Sequence, residues 1–525
     1  MERLRDIIKS GKFVIGAELV TTRGKLQQKN GQMLLKLAED LSIDERLDWI
    51  SLTDNAGGNP MIAPDIVARQ VLQRGKNVVV NITCKDSSRN MLESLAWKYA
   101  SEGIENMMVL TGDYPVDGYR GIAYPVFDLD SVGLLEMLTD MNTGLRVNSR
   151  KSGRFINLGS TDFFLGCTVS PFKLTEAELV MQYEKLRLKL KTGADFIIPQ
   201  MGYDIRKSHE LLCFLKEHKF NVPLIANVYL LSPGVARTFN NGMIAGCVVS
   251  DPLLERVNKA KQSADKGKKF FIEFAAKQLV AYKDMGYNGV HIGGFDNYKD
   301  FAAILEQAKE YESAPWCDFV KELTNPRANE FYLYVKDEST GLADRQQKNP
   351  VYINYQKKNY AKHVTLAYRF CRIVHRIFFS YHSPMFGFCK FIYSVLEKKR
   401  LKALNKLAYF NEKMWKVALF GCKECGDCSL PDITYLCPGE QCAKNQRNGP
   451  CGGSLNERCE LTQREKDCIW VKAYYRNKYY NGNNAGLLNR KPVIKDNSLR
   501  YTSGWANCFL LRDHKAYEKV HDENC

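Results

Sequence analysis

Eight of the chain's 17 cysteines cluster towards its carboxyl-terminal end, at spacings that suit metal chemistry. They are Cys422, Cys425, Cys428, Cys437, Cys442, Cys451, Cys459 and Cys468. Cys422, Cys425 and Cys428 are separated from one another by gaps of two residues. This spacing lets neighbouring thiolates turn toward one centre, as structural zinc and iron–sulfur sites both require. A triple run of this kind is more typical of a [4Fe–4S] cluster, whose fourth ligand would be a later cysteine. We therefore predict a metal site at about residues 422–468, with tetrahedral zinc as the alternative to the cluster.

A disulfide-rich module would use the same residue type, but other features of the sequence do not suggest a secreted protein. The first residues, MERLRD, lack the apolar core of a signal peptide. The other nine cysteines are scattered singly, as thiols of a reduced compartment are. We expect a cytoplasmic protein.

Glu18 is a second candidate for chemistry, because it lies in an otherwise apolar run, Phe13–Leu19. Desolvation raises the pKa of a carboxyl group. A glutamate in such a run can therefore stay protonated near neutrality and act as a general acid. The alternative is a buried carboxylate that pairs with a lysine.

The elements that would position these residues repeat one rhythm over roughly the first 300 residues. Short apolar runs lie at Phe13–Leu19, Asp48–Thr53, Asn77–Thr83, Met107–Gly112, Phe163–Val169, Asp195–Gln200, Pro223–Tyr229 and Gly289–Gly293. Helical patterns lie at Gly31–Ser42, Ser88–Gly103, Asp130–Met141, Glu176–Thr192, Ser208–His218 and Phe270–Gly286. The runs do not alternate with polar residues, as expected for strands buried on both faces. Eight such strands predict an α/β protein with a (β/α)₈ TIM barrel. An open doubly wound sheet is the alternative, but no Gly-x-Gly-x-x-Gly follows the first strand.

In such a barrel the active site lies at the carboxyl ends of the strands, so polar residues there are candidates. Asp113 follows a glycine, which lets a ligand approach closely, although a turn carboxylate would look the same. Gln200 could offer an amide to a heterocycle or be a strand-end amide with ordinary partners. A lone histidine in the last strand, His291, is expected to be a packed core residue.

The chain is predicted to divide into a barrel (1–311), a transition (312–349) with a polar linker at 336–348, and a C-terminal domain (350–525). The C-terminal domain is expected to be basic, mainly helical and cysteine-rich. Its apolar stretch Val364–Leu396 is interrupted by charged residues, so no membrane span is expected.

The formal net charge of +16 indicates an anionic partner, and much of that charge is local to Lys357–Lys406. No helix-turn-helix, RNA-binding or zinc-finger spacing accompanies it, so nucleic-acid binding is not expected. An acidic electron-transfer protein is one interpretation of this basic surface, and an ordinary solvated helical surface is the other.

The strand-end residues together resemble the methylenetetrahydrofolate reductase family over about residues 10–300. The motifs that carry the resemblance are GAEL with Glu18, DWISLTDNAGG (48–58), NITCKD (81–86), GIENMMVLTGDYP (103–115) and LKTGADFIIPQMGYD (190–204). Residues 422–460, with their CP-x₃-C-x-K-x₃-NGPCGG core, resemble the cysteine-rich module attached to, or partnered with, some bacterial members.

The resemblance implies a barrel that holds a flavin, with methylenetetrahydrofolate stacked on it for reduction to methyltetrahydrofolate. It implies that Glu18 protonates the folate nitrogen that leaves when the five-membered ring opens. By the same resemblance, Asp113 influences flavin and pterin, and Gln200 contacts the pterin. The implied flavin contacts are Thr53, Asn81, Thr83, Gly112, Asp113, Ser170 and Lys189.

Three positions depart from the family pattern. Asn81 stands where the family has histidine, and Thr111 and Leu188 stand where it has arginine. Fewer cations would then meet the phosphates of a dinucleotide, so FMN is an alternative to FAD. The basic, cysteine-rich extension likewise makes a protein electron carrier an alternative to NAD(P)H.

We predict an oxidoreductase of one-carbon metabolism and methionine biosynthesis that interconverts 5,10-methylenetetrahydrofolate and 5-methyltetrahydrofolate. Electrons would pass through the C-terminal iron–sulfur site, and the protein is expected to be a homo-oligomer. The alternative is a non-catalytic folate- or partner-binding barrel with a structural zinc domain. Glu18, Asp113 and Gln200 together favour the enzyme, since a binding protein has no chemical need for the acid.

Overall fold

The computed structural model describes residues 2–148, 154–244, 246–462, 464–483 and 486–516. The chain forms two compact units. The first unit comprises Met1–Ile353 with Cys451–Glu460, and the second comprises Asn354–Pro450 with Leu461–Cys525. A short piece of the cysteine-rich region therefore belongs to the first unit.

The strands of the described residues are numbered in chain order. They are β1 (Val14–Leu19), β2 (Trp49–Leu52), β3 (Asn77–Thr83), β4 (Asn106–Leu110), β5 (Arg146–Asn148), β6 (Phe155–Asn157), β7 (Phe164–Cys167), β8 (Phe196–Ile197), β9 (Ile225–Tyr229), β10 (Gly289–Gly293), β11 (Tyr334–Lys336), β12 (Ala343–Lys348), β13 (Ser454–Leu455) and β14 (Arg458–Cys459).

The α-helices of the first unit surround these strands. They are α1 (Leu4–Lys9), α2 (Lys29–Ser42), α3 (Asp65–Gln73), α4 (Arg89–Ser101), α5 (Ser131–Thr143), α6 (Glu176–Lys191), α7 (Ile205–Glu217), α8 (Pro233–Asn240), α9 (Asp251–Ala260), α10 (Lys268–Met285), α11 (Tyr298–Tyr311), α12 (Cys317–Leu323) and α13 (Pro350–Ile353).

Eight strands of the first unit form one parallel sheet in the order β8-β7-β4-β3-β2-β1-β10-β9. A parallel bridge between Ile197 and Leu224 joins the two ends of that order. The sheet is therefore a nearly closed barrel with helices between its strands, and the predicted TIM-barrel fold is confirmed.

Large apolar side chains fill the amino-terminal end of the barrel. Helix α1 contributes Leu4, Ile7 and Ile8 to a buried cluster with Trp49 of β2 and Phe196 of β8. A Cβ atom on Gly16 would lie 2.2 Å from the Trp49 ring, so the indole fits here because residue 16 has no side chain. Because this end is packed solid, polar chemistry is left to the opposite, carboxyl-terminal end of the strands.

Residues 312–349, predicted as a transition with a polar linker, are instead folded. Helix α12 is followed by the β11–β12 hairpin, which occupies the stretch predicted as the linker. The hairpin packs on α7, where the Glu210 carboxylate accepts from the backbone N–H groups of Leu333 and Tyr334. Lys348 also pairs with Glu217 at 2.5 Å. These side-chain contacts explain why a polar stretch is ordered.

The second unit is mainly helical. Its α-helices are α14 (Leu366–Val374), α15 (Pro384–Leu396), α16 (Lys402–Phe420), α17 (Pro438–Gln441), α18 (Ile469–Asn481) and α19 (Gly504–Phe509). A small core forms where Phe386 and Tyr393 of α15 meet Phe509 of α19. Among the described residues, none of the helices has both the length and the apolar composition that crossing a membrane requires.

Candidate active site at the barrel mouth

Glu18 points into the barrel from β1, opposite Ser51 of β2 in the strand register. Burial raises the pKa of its carboxyl group from 4.5 to about 7. A Cβ atom on Gly293 of β10 would lie 2.6 Å from Glu18 Oε2, so this glycine makes the room that the carboxyl group occupies. Glu18 also lines a cavity of about 690 Å³ that includes Tyr229 at the end of β9. The sequence-predicted acid therefore lies at an open site and holds its proton up to about neutral pH.

One layer deeper, His291 is packed rather than poised for proton transfer. Its ring stacks on Trp49 with the centroids 5.1 Å apart, and its Nε2 lies 2.7 Å from Ser51 Oγ. Burial lowers its pKa to about 4, so the imidazole is neutral at physiological pH. This is the core role that the sequence suggested.

Strands β2, β3 and β4 and the loops that follow them carry five of the implied flavin contacts. Thr53 Oγ1 accepts from the backbone N–H of Thr21 at 3.1 Å, and Thr83 Oγ1 donates to Asp54 at 2.7 Å. Gly112 has a φ of +87°, and the exposed Asp113 beyond it accepts from the backbone N–H of Gly57 at 3.0 Å. Asn81 lies half-buried within β3, two residues before Thr83. Hydrogen bonds thus hold the loops after β2 and β4 together.

The rim above β7 and β8 carries the other implied contacts. The backbone N–H of Ser170 donates to Gln182 Oε1, and Lys189 Nζ donates to the carbonyl oxygen of Thr168 at 2.6 Å. Burial lowers the pKa of Lys189 to about 8. Gln200 Oε1 accepts from the backbone N–H of Met201 at 3.0 Å. The backbone N–H of Gln200 also donates to the carbonyl oxygen of Val169, so Lys189 and Gln200 both contact the segment after β7 that leads into Ser170.

Two neighbours of these residues were not found from sequence. Gln182 of α6 is only 6% exposed, and its Nε2 has no hydrogen-bond partner, so a buried amide donor lies beside Ser170. Cys247 is a buried thiol within electrostatic range of both Glu18 and Asp113, and burial raises its pKa to about 12. Neither residue stands in a recognisable motif. Their positions depend on how α6 and the loop after α8 pack, which residue types alone do not reveal.

Four of the eight clustered cysteines are electrostatic neighbours in the second unit: Cys422, Cys425, Cys428 and Cys437. Burial raises the pKa of the Cys428 thiol to about 11. Cys451 and Cys459 instead belong to the first unit. Within the part of the chain that the structure describes, no group of three or more His, Cys, Asp or Glu residues is arranged to hold a metal ion. The structure thus does not support the predicted metal site, and metal binding stays a prediction.

Two family models match the chain. The one described as "Methylenetetrahydrofolate reductase" matches residues 3–309, which is more than half of the chain. The one described as "Methylene-tetrahydrofolate reductase C terminal" matches residues 401–494.

Curated relatives are distant. "Methylenetetrahydrofolate reductase 2" of Saccharomyces cerevisiae is 24% identical over 182 residues, which cover 34% of this chain and 28% of that protein. The protein of the same name from Schizosaccharomyces pombe is 22% identical over 249 residues, which cover 46% of this chain and 37% of that protein. The similarity thus spans well under half the length of either relative.

Two similar solved structures share 12% of their sequence with this chain. One is an uncharacterized protein from Clostridium thermocellum that binds two copies of 5-methyl-5,6,7,8-tetrahydrofolic acid. It is 12% identical with a TM-score of 0.41, covering 59% of this chain and 98% of that chain. Another is 2,3-dimethylmalate lyase, 12% identical with a TM-score of 0.31, covering 58% of this chain and 83% of that chain. At these scores the barrel assignment rests on the strand pairing described above.

Proposed function

The chain belongs to the methylenetetrahydrofolate reductase family, and from that premise we propose that it is a flavin-dependent oxidoreductase interconverting 5,10-methylenetetrahydrofolate and 5-methyltetrahydrofolate. The observation that carries the proposal is Glu18. A carboxyl group with a pKa raised to about 7 opens into a cavity of about 690 Å³ at the end of the barrel where such enzymes act.

The chemistry needs an acid at this position. Opening the five-membered ring of methylenetetrahydrofolate leaves a negative charge on a nitrogen unless a proton arrives there. A carboxyl group that is still protonated near pH 7 can supply that proton. The neutral His291 beneath it is hydrogen-bonded to Ser51 and is not a competing acid.

The residues at the rim fit a planar, polar cofactor. Gln182 Nε2 is a buried donor without a hydrogen-bond partner, so a ligand could supply its acceptor. Gly112, at a φ of +87°, has no side chain to obstruct a ligand at the start of the loop after β4. A flavin, FAD or FMN, would be held by these groups together with Thr53, Asn81, Thr83, Asp113, Ser170 and Lys189. When bound, the flavin supplies the hydride for the one-carbon unit.

The electron source is a separate proposal. The clustered cysteines would hold an iron–sulfur cluster or zinc, and an iron–sulfur cluster would favour a protein electron carrier over NAD(P)H as the donor. Elemental analysis of anaerobically purified protein tests this. Iron with acid-labile sulfide supports the electron path, and stoichiometric zinc alone contradicts it.

The test of function uses the full-length protein purified anaerobically and reconstituted with FAD or FMN. We expect a flavin absorbance spectrum that methyltetrahydrofolate bleaches, and turnover with an artificial electron acceptor. An artificial acceptor makes the result independent of the natural donor. Folate binding without bound flavin or turnover would instead support the non-catalytic alternative.

A further inference from the structure

A ten-residue piece of the cysteine-rich region, Cys451–Glu460, is part of the barrel unit. We call it the rim segment. Its second half is the β13–β14 hairpin, closed by a turn in which Asn456 and Glu457 both have positive φ, at 51° and 67°. Its first half, Cys451–Gly453, is folded back on itself, since the backbone N–H of Gly453 lies 3.4 Å from Cys451 Sγ. The rim segment thus has defined secondary structure and is not an irregular loop.

A buried lysine holds this element. Lys173, in the loop after β7, is only 3% exposed, and its Nζ donates to the carbonyl oxygens of Gly452 and Ser454. A buried ammonium group is costly unless hydrogen-bond acceptors replace its water. The rim segment supplies two such acceptors, so the position of the segment and the burial of the lysine depend on each other.

The contact lies beside the proposed flavin and pterin residues. Gly452 has a φ of +92°, and a Cβ atom there would be 3.0 Å from Ser170 Oγ and 3.9 Å from the orphaned Gln182 Nε2. On its other side Gly452 approaches Gly246, which in turn borders Gln200 Nε2. The backbone of the rim segment thus borders Ser170, Gln182 and the surroundings of Gln200.

We propose that the rim segment is a built-in wall of the ligand site at the barrel mouth and that Lys173 is the positioning residue that holds it there. The inference deepens the proposed function, since the ligand it concerns is the flavin. Its structural part, the anchoring by Lys173, stands apart from that function. It follows that the barrel helices and strands alone do not make a complete site.

Two readouts on the full-length protein test the proposal. Hydrogen exchange with mass spectrometry reports the protection of peptides that cover 451–460, and fluorescence titration with FAD and with FMN reports affinity. In Lys173→Met we expect faster exchange in the rim segment, unchanged exchange in β3, and flavin affinity weakened about ten-fold or more, the scale of one lost charged hydrogen bond. Lys173→Arg, which keeps both donors, should restore most of the protection and affinity.

Lys207→Met is the matched control. Lys207 is equally buried in the same unit and donates to the carbonyl oxygen of Phe331, so its loss should disturb the barrel without releasing the rim segment. If Lys173→Met does not fold, Gly452→Val replaces it, because its side chain would collide at Ser170 and strain a positive φ.

Unchanged exchange of the rim segment in Lys173→Met, or in Gly452→Val where it replaces that variant, overturns the anchoring. Wild-type flavin affinity in a variant whose rim segment is released overturns the role of the segment as a wall. A wild-type protein that binds neither FAD nor FMN would refute the proposed function instead. The exchange data would still show whether Lys173 anchors the rim segment.

Discussion

The barrel buries its largest apolar side chains inside the sheet, whereas the second unit exposes many large apolar side chains to solvent. Trp49 and Phe196 of the barrel are completely buried, but Phe370 of α14 is 59% exposed and Trp415 of α16 is 61% exposed. In a nearly closed parallel sheet surrounded by helices, both faces of each strand pack against apolar side chains. The second unit consists of a few helices around smaller buried clusters, and contacts of another kind add to its packing.

Buried charge supplies some of those contacts. In the second unit His514 is bonded to Asp427, which lies between two of the clustered cysteines, and its Nε2 is 3.0 Å from Asp432. Glu412 of α16 pairs with Lys416 and accepts from Ser503. The first unit thus has the larger apolar core, and in the second unit buried ion pairs accompany a smaller one. The two should therefore respond differently to mutation and to pH.

The largest expected effect tests whether the chemistry belongs to the barrel. Glu18→Gln should bind flavin normally but lose turnover by about 10²–10⁴-fold, the usual contribution of a general acid. In the wild type, turnover in the folate-reducing direction should fall as pH rises through about 7, because the carboxyl group then loses its proton. Steady-state kinetics against pH measure both.

The control for this variant is Asp195→Asn. Burial also raises the pKa of Asp195, but this carboxyl group precedes β8 at the other end of the barrel and accepts from the backbone N–H of Leu165. The Asp195→Asn variant should therefore turn over at a rate within a small factor of the wild-type rate. Equal turnover in Glu18→Gln and the wild type would remove Glu18 from the mechanism.

The next effect compares the two cores by the same substitution. Phe196 stacks on Phe164 in a sealed interior, so Phe196→Ala should lower the free energy of unfolding by about 3–5 kcal/mol. Phe509 stacks on Phe379 in a core that partly exposed residues surround, so the site can collapse and Phe509→Ala should cost less. Urea unfolding of both variants gives the two values, and a larger loss for Phe509→Ala would contradict the comparison.

A pH effect should separate the units further. The carboxylates Asp427 and Asp432 raise the pKa of His514 from 6.5 to about 9, against the opposing effect of burial. The stabilisation is complete below about pH 6.5 and is lost as pH rises through about 9, up to about 3 kcal/mol. Thermal unfolding of the wild type and His514→Gln at several pH values measures it. The two proteins should converge above pH 9, and a constant difference across that range would rule out this ion cluster as the source.

The smallest effect should be the same in both units. Asn297 caps α11 in the first unit by accepting from the backbone N–H of Asp300 at 3.1 Å, and Thr365 caps α14 in the second by accepting from that of Tyr368 at 3.2 Å. Replacing either residue by alanine should cost about 1 kcal/mol of unfolding free energy. Markedly unequal losses would mean that the units differ in local helix chemistry and not only in packing.

Sequence alone determined the barrel and the place of Glu18 in its first strand. Unbroken apolar runs at regular intervals leave few alternatives to a parallel sheet covered by helices, and a glutamate inside such a run must face the interior or the mouth. The predicted strands and Glu18 followed from periodicity, which is a local property of the chain.

Tertiary structure decided what depends on distant pairs. The polar stretch 336–348 was predicted as a linker because its composition is that of a loop, but Glu210 and Glu217 of α7 order it as a hairpin. The rim segment was predicted as part of the C-terminal domain, but Lys173, nearly 280 residues earlier in the chain, donates hydrogen bonds that hold it in the barrel unit. No local pattern encodes such a pair, because the free energy that orders each partner arises only when the other is in place.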